Sequence, residues 1–497
     1  MYYFPEHSDL SNVSEVTKDS WQAQYTLRQN YSKYYSGEVF KETLPIEQGL
    51  DDETLLYPVG INLVKMICLA QADSLFGEWD ESIITLQPRR DDNVDTADKS
   101  ASYLARDILE NSDADTLLWE VALDREIYGG GIIRIKSDIK NPGHVRWSKV
   151  DPDTFFPVWD PSDGNKLLEV YIIYNITAEQ AEAKYGYKTS ADFVLYKEHW
   201  TNNVLEITLG GEPKVDISPY SGVNPLKLIP FVYIPRLRSL NWWGDALAAD
   251  IIDVQDELNI RLADIGEGIS YNAQPIRWGR FLGSSFNADN YPIGPNVLWD
   301  LGNGKPGQEN PPEVGFLESH NPLPQGSFDY IRFIYDWSRM STSAPPIVFG
   351  EDDGGSQRSG ITLEIRMMPL VRATRRSRAY MSTGIKDALR ISAEILYRKK
   401  ISTVSTWAVQ KLIRKELAPK YAPVLPRDQA SIVDEVVRRQ STTPPSISLE
   451  TAVVKLGDGT GEVNRIERDL ENELLWSRQK MNSEPGMNSG VGNEPKK

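Results

Sequence analysis

The sequence predicts an α+β protein that is mostly helical, with a small β-rich region inserted between helical parts. Three observations predict it. Apolar residues recur at steps of three and four over several long stretches. Between about residues 130 and 240 the period changes to two or to short apolar runs. A glycine triplet, Gly129–Gly131, stands at the switch and stops any helix that reaches it.

Taken in order, residues 1–50 are polar and aromatic, with a Tyr31, Tyr34, Tyr35 cluster and helical pieces. Leu55 to Phe76 reads as an amphipathic helix ended by Gly77, followed by an extended stretch from Ser82 to Leu86. Helical spacing returns from Thr96 to Tyr128 through Leu104, Ile108, Leu118 and Val121. Strand patterns follow at Ile132–Ile135, Val145–Val150, Phe155–Trp159, Leu167–Tyr174, Phe193–Trp200 and Val204–Leu209. Asn202 and Asn203 supply a hairpin turn between the last two. Thr177 with Gln180 forms a capping-box pattern, and Gly186 stands where the short helix would end.

The clearest helix follows Gly244. Leu247, Ile251, Val254, Leu258, Leu262, Ile265 and Ile269 form one apolar stripe. Its other faces carry Asp245, Asp250, Asp253, Asp256, Glu257, Asp264 and Glu267 against a lone Arg261. Residues 276–325 are rich in Pro, Gly and Asn, with a strand pattern at Asn296–Leu301. Phe328, Ile331, Ile334 and Tyr335 mark another helix, which breaks at Pro345-Pro346. After the polar loop Glu351–Gly360, a long helix is predicted from Ile361 to Lys400, with a kink or break at Pro369 because proline lacks the donor. Residues 366–415 hold thirteen Lys or Arg and two acids. Helix patterns at 427–440, 448–456 and 462–480 precede a Gly-, Asn- and Pro-rich tail from Asn482, which reads as disordered.

The chain has 497 residues, length for about three domains. Its net charge is −17, from 71 acidic and 54 basic side chains. A duplex binder presents excess Lys and Arg to neutralise phosphates, so this balance argues against a repressor, polymerase or nuclease clamp. It does not argue against a protein that nucleic acid passes without adhering. No apolar run is long enough to span a bilayer, and MYYFPEHSDLS does not read as a secretory signal. A single cysteine, Cys68, excludes an internal disulfide and reads as core, which fits assembly in a reducing cytosol.

Catalytic motifs are missing. There is no G-x-x-x-x-G-K-[ST] phosphate loop, no H-E-x-x-H and no G-x-S-x-G elbow. Gly457–Gly461 is a loop without a following lysine, and Asp160 with Asp163 reads as a turn rather than a calcium loop. The four histidines, His7, His144, His199 and His320, are far apart, so no metal or other cofactor is expected. Thirteen tryptophans keep an acidic hydrolase open as an alternative, although no carboxylate pair can be picked out among 71 acids.

Several short stretches, in order, resemble the portal proteins of tailed bacteriophages. They are Asp151-Pro152 with Phe155-Phe156-Pro157-Val158, and Ile229-Pro230-Phe231-Val232 followed by Gly244-Asp245 and Ile252-Asp253 with Leu258-Asn259. Ser359-Gly360-Ile361-Thr362-Leu363, then Ile447-Ser448 with Glu450-Thr451 and Glu467-Arg468, complete the pattern. Asp245 and Ala246 depart from the small and hydroxyl residues common in that family. Residues 1–50 and the tail fall outside the resemblance.

The resemblance implies a non-enzymatic, mostly helical portal fold, with a β-rich wing domain, a helical stem and a mixed clip. Its parts would be a wing over 1–240 (helical 1–128, β-rich 130–240), a stem helix at 244–272, a clip at 273–325 and a second stem helix at 326–342. A tunnel loop at 343–360, a long wing helix at 361–400, a crown at 401–481 and the tail at 482–497 would follow. It implies a ring, usually of twelve copies, at one capsid vertex of the virion, through which double-stranded DNA is packaged and ejected. The expected partners are the terminase large subunit, head-completion or adaptor proteins, and major capsid and scaffolding proteins, with no membrane. A different virion ring or adaptor remains the runner-up.

The implied sites fall on named residues. The tunnel loop would present Glu351, Asp352, Asp353, Gly354, Gly355, Gln357 and Arg358 to the channel, and Asp250, Asp253, Glu257, Asp264 and Glu267 would line the stem. Arg277, Trp278, Arg280 and Trp299 would meet partners at the clip. Arg372, Arg375, Arg376 and Arg378 would pair with a neighbouring subunit, DNA contact being the other reading.

Overall fold

In the computed structural model, residues 13–42, 60–77, 84–88, 96–137, 144–213, 222–238, 241–273, 277–280, 313–316, 325–351, 360–399, 405–424, 429–442, 446–448, 452–453, 465–466 and 468 are described. The chain divides into two compact units, Met1–Val424 and Leu425–Lys497. Expected elements at 296–301, most of 448–456 and 462–480, and the tail lie outside the described residues.

The first unit opens with α1 (Glu15–Ser36), α2 (Val39–Glu42) and α3 (Leu63–Phe76), then β1 (Ile84–Pro88), α4 (Thr96–Glu110) and α5 (Ala114–Tyr128). Ser14 caps α1 and Gly37 ends it in a left-handed turn. Helix α3 starts at Leu63, not at Leu55: Asn62 caps it by accepting from Lys65 N at 2.8 Å, while its Nδ2 donates to the Tyr34 and Tyr35 carbonyls. The helical spacing over 96–128 resolves into two helices. Asp113 takes a left-handed φ of 48°, and the Ser112 hydroxyl donates to Ile108 O while accepting from Trp147 N at 2.9 Å. That turn is bonded to a strand, which is what interrupts the helix.

The β-rich region follows as β2 (Gly130–Ser137), β3 (Val145–Val150), β4 (Phe155–Asp160), β5 (Asp163–Thr177), α6 (Ala178–Tyr185), β6 (Phe193–Trp200), β7 (Leu205–Leu209), β8 (Glu212–Pro213) and β9 (Phe231–Pro235). The expected strands are present, and the capping box of Thr177 and Gln180 is formed. Asp160 and Asp163 flank a hairpin turn in which Ser162 N donates to Asp160 Oδ1, as the turn reading expects. The strands make two antiparallel sheets, ordered β3-β2-β9 and β4-β5-β6-β7-β8. Helix α1 closes over the second. Trp21, 1% exposed, packs its ring against Phe156 and Tyr171 and donates Nε1–H to Pro157 O at 2.9 Å.

The chain continues as α7 (Ile252–Ala273), β10 (Arg277–Arg280), β11 (Glu313–Phe316), α8 (Gln325–Ser341), α9 (Gly360–Arg398), α10 (Thr406–Ile413) and β12 (Leu417–Tyr421), which pairs with β1. Helix α9 runs through Pro369 without interruption, so the expected break does not occur. Its C-terminal half is fixed by burial of Met381, Ile385, Ala388, Leu389, Ile395 and Leu396 in the core shared with α4, α5 and β2. The second unit contains α11 (Gln429–Gln440), with an Arg439–Glu435 ion pair at 2.9 Å.

One junction directs the later helices. Gly129 ends α5 with φ 84°, and Gly244 has φ 85°. The two backbones pass so closely that a Cβ on Gly244 would lie 2.5 Å from the Gly129 carbonyl oxygen, and one on Gly129 would lie 2.6 Å from that of Gly244. Around them Leu247 N donates to Glu126 O, Arg236 N donates to Gly129 O, and Arg236 Nε donates to the buried Glu126 carboxylate at 2.7 Å. Gly244→Ala should therefore destabilise far more than Gly211→Ala. Gly211 has a similar φ of 83° but open space around it. Urea denaturation should show a loss of about 1–2 kcal/mol for Gly211→Ala, the conformational cost alone. Gly244→Ala should lose at least ~2 kcal/mol more, in the range of overpacking. Equal losses would contradict the close-approach account.

Candidate functional site

Helix α7 begins at Ile252, later than the apolar stripe implies. Ala248–Asp250 form a tight 3-10 turn instead, held where Leu247 bonds to the end of α5. Leu247, Ala248, Ile251 and Leu258 are buried together with Leu63, Val64, Ile67 and Cys68 of α3. Burial pushes the Cys68 thiol far above its ordinary range, so it remains a protonated core residue. Gln255, fully buried, locks the helix sideways: Leu63 N donates to its Oε1 at 2.6 Å and its Nε2 donates to Ile61 O at 2.5 Å. Tyr34 OH donates to Asp256 at 2.7 Å, and burial with this carboxylate raises the phenol's pKa.

Beyond Leu258 the helix leaves the core. Leu262 and Ile265 are half-buried and Ile269 is 52% exposed, so only the first half of the expected stripe is covered. At about 100° per residue, Asp253, Glu257, Asp264 and Glu267 fall within an arc of about 80°, opposite the Leu258, Leu262, Ile265, Ile269 face. Asp253 and Asp264 are exposed, and Asp253 makes no ion pair among the described residues. Arg261 sits on the flank of this arc and donates to Glu257 at 2.8 Å and Asp264 at 2.9 Å. Such solvent-facing pairs on one helix contribute about 0.3–0.5 kcal/mol each and leave the face net acidic. Asp250 lies in the turn above, 4.0 Å from Arg236; burial, opposed by Arg236, raises its pKa.

Helix α8 packs along α7. Ile334 is buried, and half-buried Ile331 and Tyr335 join Leu258 and Leu262. Tyr330 OH donates to Glu257 at 3.2 Å. Near its C-terminus Arg339, 4% exposed, grips Glu351: Nη1 donates to Oε2 at 2.6 Å, Nη2 pairs with Asp336, and the guanidinium lies 4.2 Å from the Tyr335 ring. Tyr335 OH also donates to Glu351 at 3.3 Å. Glu351 is thus clamped to α8. Asp352, Asp353, Gly354, Gly355, Gln357 and Arg358 lie outside the described residues.

Between α7 and α8, β10 and β11 form an antiparallel ribbon with Arg277 opposite Phe316, Trp278 opposite Gly315 and Arg280 opposite Glu313. Trp299 and Glu267's side chain lie outside what is described. On α9, Arg372, Arg375 and Arg376 are exposed, with no ion pair among the described residues. The two acids of this basic stretch are already engaged: Asp387 with Lys415 at 2.6 Å, and Glu394 with Arg390 at 2.6 Å. Arg378 differs from its three neighbours. Its guanidinium donates to Leu75 O and Ala422 O at 2.7 and 2.8 Å and covers the Tyr421 ring, so it is a packing residue within the subunit.

Two important residues escaped the sequence reading. Gln255 shows there only as a polar residue within an apolar stripe, four residues after Ile251. Arg339 shows only as a cation three residues after Asp336, a common pattern of solvent-facing pairs. Among the described residues no cluster of His, Cys, Asp or Glu is suited to a metal ion, and no helix is long and apolar enough to cross a membrane.

No curated protein matches the sequence. The family described as phage portal protein, SPP1 Gp6-like, matches residues 15–474. That span holds α1, both sheets, the acidic helix, its ribbon, α8, α9 and α11. The family is a structural, non-enzymatic one of the virion capsid. With the match running over nearly its whole length, this chain belongs to the phage portal proteins.

Proposed function

We propose that this protein forms the ring-shaped DNA channel at one capsid vertex, usually of twelve copies, through which a terminase motor packages double-stranded DNA and from which it is later ejected. In this reading α7 and α8 are the stem, the ribbon Arg277–Arg280 with Glu313–Phe316 belongs to the clip, and α9 is the long wing helix. The crown and tail follow. The clip, with Arg277, Trp278, Arg280 and Trp299, meets terminase and then head-completion or adaptor proteins. The wing meets capsid and scaffolding proteins, and assembly takes place in the host cytoplasm.

The observation that carries the reading is the separation of faces on α7, within a chain of this family. The apolar side of the helix holds it to the subunit, and the side bearing Asp253, Glu257 and Asp264 is net acidic, with Arg261 the one α7 cation against it. Each phosphate neutralised by a fixed cation releases counterions and costs work to detach, so a wall that DNA must slide along favours carboxylates. At physiological salt this repulsion reaches about 8 Å, which acts on a duplex held inside a narrow ring. The tunnel loop is residues 343–360, and the Arg339 clamp fixes Glu351 within it to α8. Exposed Arg372, Arg375 and Arg376 meet acidic surface on the neighbouring subunit.

Replacing Asp253, Glu257, Asp264 and Glu267 together by Lys should leave rings intact in native mass spectra but slow DNA packaging at least tenfold. The log–log salt dependence of duplex binding should steepen by about 0.9 per new phosphate contact. Packaging at the normal rate by intact variant rings would refute the lining role. The tether is tested separately. A double-mutant cycle of Arg339→Ala and Glu351→Ala should give a coupling of about 1 kcal/mol in thermal or urea unfolding, modest because Glu351 is half exposed. A coupling within error of zero would mean that Glu351 is not held there.

A further inference from the structure

Among the described residues, helix α8 keeps two apolar surfaces open. One flank is a ridge: Tyr330, Phe333 and Trp337 are 44%, 60% and 54% exposed. Phe333 and Trp337 stack on each other with ring centroids 6.3 Å apart. The other flank walls a groove of about 1220 Å³, lined by Ile61, Leu258, Phe328, Ile331, Pro346 and Pro369 among others. At about 100° per residue, the centres of the groove side (Phe328, Ile331, Tyr335) and of the ridge side (Tyr330, Phe333, Trp337) lie about 160° apart around the helix.

Taking about 200 Å² for each large side chain, the ridge exposes roughly 300 Å² of mostly apolar surface. That is within the range of the largest patch on a typical monomer, and somewhat over a third of what one partner contributes to a standard interface, ~800 Å². The groove adds the apolar side chains of Ile61, Phe328, Ile331 and Pro346 on another flank. A ridge on one flank and a groove on the other are not self-complementary by a two-fold axis. They meet when copies are related by a rotation repeated in one direction, which is the heterologous contact that closes a ring.

We propose that the stacked Phe333–Trp337 ridge of one copy seats in the groove between α8, Ile61 and Pro369 of a second copy of this chain. The proposal rests on the ring reading and names the surface that builds it. Apolar contact supplies the adhesion.

The test uses full-length chains and native mass spectrometry over a concentration series. The ridge variant is Phe333→Ser/Trp337→Ser, and the groove variant is Ile61→Asp/Phe328→Asp. All four positions are exposed, and unchanged far-UV circular dichroism and Tm establish that both variants fold. Each alone should need at least a tenfold higher concentration to assemble. Mixed in equal amounts they should form a heterodimer and stop there, because the pair contains one intact ridge and one intact groove that can meet. Rings formed by either variant as readily as by wild type would overturn this interface while leaving the ring reading standing. Assembly lost in the ridge variant but kept in the groove variant would mean the ridge seats elsewhere or binds a different protein, and the proposal fails. A wild-type chain that stays monomeric throughout would instead remove the ring reading itself.

Discussion

The backbone contact between Gly129 and Gly244 is the constraint on which the placement of α7 depends. At this point the end of α5, the end of β9 and the lead-in to α7 come within van der Waals reach, and no side chain larger than hydrogen fits between the first and third. The buried Glu126–Arg236 pair closes the same junction. Removing one partner of such a pair typically costs about 3–5 kcal/mol, since the other charge would be left buried, so it specifies the geometry more than it stabilises the fold. From here the Leu247 amide and the Gln255 side chain aim α7 away from the core at a fixed angle and rotation.

That fixed rotation turns a pattern of residues into a surface. An acidic helix free to roll would present its carboxylates in all directions, and charged faces on isolated helices are usually no more than solvated exteriors. Here Leu258 and Ile251 commit one side of α7 to the subunit, and the opposite side is left anionic over a helix of about 33 Å. The same commitment leaves α8 incompletely covered: Ile334 faces inward while Phe333 and Trp337 face outward. Apolar surface left open on α8 accords with a family that works as an assembly.

Much of this was legible in the sequence because it rests on local physics. Val145–Val150 and Phe193–Trp200 alternate cleanly, and Thr177 with Gln180 can form only a local box, so these appear where the pattern puts them. The break at Asn111–Asp113 was not legible, since it depends on Trp147, more than thirty residues downstream. Nor was continuity through Pro369, where burial along the rest of α9 outweighs a local preference. The acids of α7 were identifiable as one group from spacing and sign, but which of them accept from Tyr34 and Tyr330 was a tertiary fact. Arg378 is the converse: it reads as one of four equivalent surface cations, and only the Leu75 and Ala422 carbonyls reveal it as packing.

In the proposed ring the carboxylate side of α7 looks onto an axial hole. A cryo-electron microscopy reconstruction of the purified full-length assembly measures this directly. The account requires a closed ring in which Asp253, Glu257 and Asp264 of every copy border the axial opening. An assembly with no such opening, or one in which those side chains face outward or are paired with cations of the next copy, would contradict it.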